Sequence, residues 1–298
     1  MLRIGLVGGT KIWHGMSFSE MFNGYDRKEA VKRNWGPLYR RRVGKDVRIT
    51  HIWDVKEEDA KEVAKICEIE NVVNKKEEMI GKVDGVIIAD DCTMKHQRRA
   101  EPFLKAGIPT FIDKPLSPDI KEAEKIIELA RKYKAPMMSC SALRYSKETE
   151  KLREGKDEIG DILTGFAICR EWQGGLVFYG IHAFELLYSV IGPGVKSVRS
   201  AGKKRKDIVI IRYKDGRDFV LAAYEEIAPL FQINLYGTKG YRNITATDSD
   251  YFYSNMLKHF VKMVKTKKEP IPPEETLEII KVLVLGKKSR INGKEIYL

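Results

Sequence analysis

Residues 83–117 read VDGVIIADDCTMKHQRRAEPFLKAGIPTFIDKPLS. Val83–Ala89 is a short apolar run, the pattern of a strand buried on both faces. Residues 94–106 carry the spacing of an amphipathic helix, and Gly107 is a natural helix stop. Pro109–Ile112 is a second apolar strand. Strand, helix and strand in this order make a β-α-β unit with parallel strands. The same alternation continues on both sides. Upstream, residues 2–7 (LRIGLV) form a strand ending at Gly8-Gly9, and residues 47–53 (VRITHIW) form one ending at Asp54. A helix is predicted at 57–68, with Ala60, Val63, Ala64 and Cys67 on one stripe, and a short strand at Asn71–Val73. Downstream, Ser117 and Pro118 suit the N-cap and first position of a helix reaching about residue 133, before a strand at Pro136–Cys140. The pattern predicts an α/β fold with a doubly wound parallel sheet. Ligands in such sheets sit at the carboxyl ends of the strands. That directs attention to Gly8–Trp13, Asp54, Asp90–Thr93 and Asp113–Pro115.

After about residue 146 the rhythm changes. Strand-like runs cluster at 162–171, 195–201, 207–213, 218–224, 231–236 and 241–245, with hairpin signals at Lys214-Asp215-Gly216 and Gly237-Thr238-Lys239-Gly240. A helix at about 180–191 stops at Gly192-Pro193, and helical patterns return at 250–266 and 273–290. This predicts a second, α+β domain with a mostly antiparallel open sheet. The length of 298 residues suits two domains at about 150 residues each. The segment 14–46 is longer than a plain crossover needs and is rich in aromatic and basic residues. Two readings stand for it: part of an active-site cleft, or a packed embellishment.

Apolar residues make up 43% and charged residues 32%, as in a globular protein, which excludes a collagenous or disordered chain. No apolar run reaches the ~20 residues of a membrane span. MLRIGLVGG reads as a first strand rather than a secretory signal. Cys67, Cys92, Cys140 and Cys169 form no C-x-x-C pair and adjoin no histidine, so neither zinc chemistry nor a disulfide scaffold is expected. Reduced cysteines fit a cytoplasmic protein. The net charge is +12. Its dense clusters are Arg40-Arg41-Arg42 and Lys203-Lys204-Arg205-Lys206, the second at a hairpin tip by its flanking strands. A solvated turn and a phosphate contact are both open there, but no nucleic-acid-binding signature accompanies the charge.

Each candidate functional residue has two readings. Gly8-Gly9-Thr10-Lys11-Ile12-Trp13 stands where G-x-G-x-x-G is found, yet only the first glycine fits. It is either a tight turn or a loop whose N–H groups hold phosphate. Asp54 is either the acid that accepts the adenosine-ribose hydroxyls, which favours NAD over NADP, or a helix cap. Lys114 is either a surface lysine or a group that stabilises an alkoxide. His182 has Phe178, Tyr179, Glu185 and Leu186 as helix-face neighbours. It is either structural or a general base oriented by Glu185.

Taken together, Gly8-Gly9, Asp54, VDGVIIADDCTMKH, AEPFLKAGIPTFIDKPLS, SALRYS and GIHAFELLYSVIGPG resemble the glucose-fructose oxidoreductase / inositol dehydrogenase / MocA family of NAD(P)-dependent oxidoreductases. The resemblance implies a Rossmann domain over 1–120 and a C-terminal substrate and oligomerisation domain over 121–298. It implies hydride exchange between NAD (or NADP) and a sugar, cyclitol or related polyol, in a homodimer or homotetramer. Lys114 matches the family lysine at the reacting hydroxyl, and His182 matches the acid/base histidine. Tyr179 and Glu185 are candidate partners of His182. Gly8, Gly9, Thr10, Lys11, Asp54, Asp90, His96 and Asp113 fall on the cofactor side. Arg144, Trp172, Trp13 and His14 are candidate substrate contacts. Phe178 departs from the aspartate common in the family four residues before the histidine, and Asp90-Asp91 replace a Thr-Pro pair. Because of Phe178 and the eroded glycine loop, a non-catalytic nucleotide or sugar sensor is the alternative.

Overall fold

The computed structural model describes residues 1–36, 39, 41–90, 93–155, 158–172 and 174–298. Arg40, Asp91 and Cys92, which figure in the readings above, lie outside the described residues. The elements in chain order begin with β1 (Leu2–Val7), α1 (Trp13–Asn23), α2 (Arg27–Lys32), β2 (Val47–Trp53), α3 (Glu57–Ile66) and β3 (Asn71–Val72). Next come β4 (Gly85–Ile88), α4 (His96–Lys105), β5 (Thr110–Ile112), α5 (Ile120–Lys132) and β6 (Met137–Met138). The chain continues with α6 (Glu150–Arg153), β7 (Ile162–Arg170), α7 (Ile181–Ile191), β8 (Val195–Ser200), β9 (Lys206–Tyr213) and β10 (Asp218–Tyr224). It ends with β11 (Phe231–Gly237), β12 (Tyr241–Thr245), α8 (Ser249–Thr266), α9 (Pro273–Asn292) and β13 (Ile296–Tyr297).

The chain forms two units. The first holds residues 1–116, 121–139 and 254–273. Its six strands run parallel in the order β3-β2-β1-β4-β5-β6, so the direction of winding reverses between β1 and β4. This is the strand order of dinucleotide-binding sheets. Ile4, Leu6, Ile52, Val86, Ile87, Ile88, Phe111 and Ile112 are fully buried, as the apolar runs require. The unit extends past the boundary expected at residue 120, taking in 121–139 and 254–273. Phe260 and Val264 of α8 seat against Gly85, where a Cβ would come within 2.6 Å of Val264, and Phe260 meets Phe111 at 6.0 Å. Apolar burial decides the boundary rather than chain order. The helix expected from Ser117 starts later, at Ile120, because the Ser117 hydroxyl accepts the Asp119 N–H in a local turn.

The described residues of segment 14–46 make internal contacts. α2 is capped by Asp26, whose carboxylate accepts the N–H groups of Lys28 and Glu29. Buried Glu20 accepts the Trp35 indole N–H and the Tyr39 backbone N–H, and the Arg42 guanidinium donates to the carbonyls of Met21 and Phe22.

The second unit holds residues 117–120, 140–253 and 274–298. Its seven strands run in the order β12-β11-β7-β10-β9-β8-β13, antiparallel except for β7 beside β10. β9 alternates strictly, with Asp207, Val209, Ile211 and Tyr213 buried. Gly286 of α9 lies against Val209, and Gly180 faces Ala223. The basic cluster at 203–206 is a hairpin tip closed by Lys203 and Lys206, with Arg205 paired to Glu225 and Lys206 to Glu226. Cys67, Cys140 and Cys169 are buried.

Candidate active site

In the first unit, the loop after β1 turns through Gly8 (φ +72°) and Gly9 (φ +56°), values that favour glycine. A Cβ on Gly9 would sit 2.2 Å from the Ala89 carbonyl. The third fingerprint glycine is not missing but displaced. A Cβ on Gly15, in the first turn of α1, would come within 2.2 Å of the Gly9 carbonyl and 2.6 Å of that of Thr10. Gly15 therefore lets the helix lie on the loop, the task of the third glycine. Its position two residues late hid it from motif reading, although it is the one glycine within α1. No side chain caps α1, so its first N–H groups are available to phosphate.

These residues border a cavity of about 650 Å³ lined by Gly9, Lys11, Trp53, Asp54, Asp90 and Thr93 among others. Thr10 is buried beneath it, and both its N–H and its hydroxyl donate to Asp54 Oδ2 at 2.8 Å. Lys11 pairs with Glu62 at 2.7 Å. Buried Asp90 pairs with Arg99 at 2.8 Å and accepts the Thr93 N–H. A loop approached closely by backbone, an uncapped helix start and a cavity at the strand ends fit a dinucleotide.

His96, expected on the cofactor side, is fully buried. Its ring nitrogens face the carbonyls of Asp90 (2.9 Å) and Leu116 (3.1 Å), so it braces the end of β4 against the loop after Lys114. Asp113 is also buried. Its Oδ1 accepts the Lys114 N–H at 2.8 Å, and its Oδ2 lies 2.5 Å from His14 Nδ1. Burial pushes this carboxyl up, but His14 and Lys114 outweigh it and hold Asp113 below the usual carboxylate range. His14 is a candidate substrate contact whose ring already has internal partners. It is 7% exposed and engaged with Asp113 and Phe18. Lys114 is 3% exposed and joined to Pro115 by a cis peptide bond. Trp13 is half-exposed, edge-on to Tyr39.

In the second unit, a π-helical turn at Leu176–Gly180 leads into α7. His182 is buried, with Nδ1 2.7 Å from the Ser141 hydroxyl and its ring between Tyr179 and Phe231, each at 5.4 Å. Glu185, expected to orient His182, has other partners of its own. Its carboxylate receives Arg144 at 3.1 Å and the Ser141 N–H at 3.4 Å. Burial raises Glu185 and Arg144 partly offsets it. Arg144 also pairs with Glu275 and lies over the Tyr188 ring, so its guanidinium is held by internal partners. The residue that holds His182 is Ser141, which sequence reasoning missed because nothing in SALRYS marks one serine above the other. Trp172 is 49% exposed under the Arg170 guanidinium and borders a separate cavity of about 480 Å³ with Glu171, Lys204 and Arg290.

Among the described residues, no three His, Cys, Asp or Glu side chains form a metal-ligand set, and no helix is long and apolar enough to cross a membrane.

Solved structures share the fold over almost the whole chain. A probable dehydrogenase from Thermotoga maritima superposes with a TM-score of 0.83 at 20% identity, covering 99% of this chain and 98% of that one. A myo-inositol dehydrogenase from Corynebacterium glutamicum ATCC 13032 gives 0.82 at 16% identity, covering 100% and 99%. GenD2 from gentamicin A biosynthesis, solved in complex with NAD, gives 0.81 at 14% identity, covering 100% and 96%. At such identities the likeness concerns the fold. No curated protein matches the sequence. Residues 2–140 match the model of the oxidoreductase family with an NAD-binding Rossmann fold. Over those residues the chain is similar to the NAD-binding Rossmann part of the glucose-fructose oxidoreductase / inositol dehydrogenase / MocA oxidoreductases.

Proposed function

We propose that this oxidoreductase acts on a CH–OH group of a sugar, cyclitol or related polyol, or on the corresponding ketone. The observation that carries the reading is Lys114, buried on the turn after β5 and anchored through its N–H to Asp113. The bound nicotinamide supplies the hydride acceptor or donor. Lys114 places a fixed positive charge beside the substrate oxygen and stabilises the alkoxide as its proton leaves. In the second unit, His182 is the proposed general base, since an imidazole titrates near neutrality. Ser141 at Nδ1 sets the orientation of the ring, and Tyr179 walls it. Gly8, Gly9, Thr10 and the start of α1 hold the pyrophosphate. Trp13 and Trp172 offer aromatic faces on which a sugar ring stacks. The sheet face bearing half-buried Phe166, Ile168, Ile208, Ile210 and Val220 supports association of two or four copies.

The test is oxidation of a polyol and sugar panel followed at 340 nm with each nicotinamide cofactor. Turnover of one or more members is expected. Phe178 favours one other reading, a sensor on the same fold. Its ring packs on Gly174 where relatives carry the aspartate beside the histidine. Saturable cofactor or sugar binding with no absorbance change across the panel would establish that reading instead.

A further inference from the structure

In a dinucleotide-binding sheet the acid after the second strand accepts the ribose hydroxyls and repels a 2′-phosphate. In this protein that acid is already used. Asp54 Oδ2 takes two hydrogen bonds from Thr10, both at 2.8 Å, and Oδ1 faces the Lys56 N–H at 3.4 Å. Thr10 is fully buried, so a ribose cannot displace it without leaving a buried hydroxyl unpaired. Thr10 also stands at the place of the second fingerprint glycine. The departure from the motif and the occupation of Asp54 are one feature.

The charge around the same cavity points the same way. Among the described residues, six cations line it (Lys11, Lys56, Lys76, Lys95, Arg98 and Arg99) against three acids, Asp54, Asp59 and Asp90. Lys11 is matched by Glu62, Lys76 by Glu77 and Arg99 by Asp90. Lys56, Lys95 and Arg98 enter no ion pair among the described residues. Lys56 lies two residues beyond Asp54, on the ribose side. Next to Asp54, the indole of Trp53 has Lys76 at 5.9 Å and Arg99 at 5.7 Å. With one oxygen of Asp54 engaged by Thr10 and surplus cations around the cavity, a 2′-phosphate there meets net positive charge.

We infer that the cavity accepts the 2′-phosphorylated dinucleotide NADP(H) at least as tightly as NAD(H), with Thr10 setting this preference by occupying Asp54 and Lys56 supplying the phosphate's counter-charge. This rests on the dinucleotide-binding reading of the first unit. It goes beyond that reading by assigning the specificity.

The test is calorimetric titration of the full chain with 2′,5′-ADP and with ADP, and fluorescence titration with NADPH and with NADH. The 2′-phosphorylated member of each pair is expected to bind as tightly or more tightly. Exposed Lys56→Ala should weaken 2′,5′-ADP by about three- to fivefold, the scale of one exposed ion pair, and leave ADP unchanged. Thr10→Ala removes the hydroxyl's bond to Asp54 Oδ2 while keeping the backbone N–H one, and should move the NADPH/NADH affinity ratio towards NADH by about tenfold, roughly one hydrogen bond's worth. Should Thr10→Ala fail to fold, Lys56→Ala and the wild-type ratios still decide. NADH binding tenfold tighter than NADPH, or a Lys56→Ala variant with unaltered 2′,5′-ADP affinity, overturns the inference. Binding of none of the four ligands defeats the dinucleotide reading itself, a distinct result.

Discussion

The Ser141 hydroxyl lies 2.7 Å from Nδ1 of His182, while Glu185, on the next turn of α7, is turned to Arg144. The imidazole is thus oriented by a neutral group. A carboxylate partner would stabilise the imidazolium strongly, whereas a hydroxyl holds the ring with little effect on its charge. Ser141→Ala should therefore lower kcat by about tenfold, below the full loss of a general base. The limb of the pH–rate profile that reports His182 should shift, and Ser141→Thr should restore it. A change in melting temperature with an unmoved profile would reduce Ser141 to a packing residue.

Lys114→Ala separates chemistry from cofactor binding. The ammonium is placed to stabilise charge that develops only during reaction. Turnover should fall by at least about 100-fold, on the scale of losing one oxyanion donor. NADH affinity should stay close to wild type. Retained turnover would remove Lys114 from the mechanism.

Gly15→Ala tests the displaced fingerprint glycine. In an ordinary helix interior this change stabilises by about 0.5–1 kcal/mol. Here the new Cβ would lie 2.2 Å from the Gly9 carbonyl, and backbone cannot yield as a flexible side chain can. The sign should invert. The expected result is a lower melting temperature and weaker NADH binding, read by a fluorescence titration. A stabilised variant with intact affinity would show that α1 does not need its close seat on the loop.

The parallel sheet was legible because its strands are buried on both faces and its helices on one, so two periods alternate along the chain. The boundary was not, because α8 returns to the first unit through Phe260 and Val264, a long-range packing choice that no local pattern encodes. Lys114 and Asp54 were legible from their places at strand ends. Their partners were not. That His14 meets Asp113, that Thr10 occupies Asp54 and that Ser141 holds His182 are contacts made across 99, 44 and 41 residues of chain. Spacing along α7 suggested Glu185 for His182. The stronger demand of a buried carboxylate for a cation claimed it for Arg144.

That demand has a measurable size. Arg144→Ala leaves Glu185 buried without its cation, and Glu275 loses the same partner. Removing one side of a buried pair costs about 3–5 kcal/mol. Urea denaturation at pH 7 should show a loss of that order. Acidification should recover part of it, because Glu185 is already raised by burial and protonates more readily once Arg144 is gone. A loss below about 1 kcal/mol would mean that water reaches the site and solvates the carboxylate.

A second carboxylate carries a pH dependence of its own. Glu171 is 6% exposed, its Oε2 is buried with no hydrogen-bond partner, and burial followed by nearby Asp207 pushes its carboxyl up to about 7. The Arg290 guanidinium is spent on Asp207 at 2.6 Å, so Glu171 has no cation to itself in that pair. The folded state therefore prefers Glu171 protonated. Its contribution to stability is complete below the unfolded carboxyl value near 4.5 and is lost as pH rises through about 7. Glu171→Gln keeps the shape without the ionisation. The variant should match the wild type near pH 5 and melt higher at pH 8, by roughly 2–4 °C if about 1 kcal/mol is recovered. Equal melting temperatures for the two proteins from pH 5 to pH 8 would show that Glu171 ionises in the fold as readily as in water.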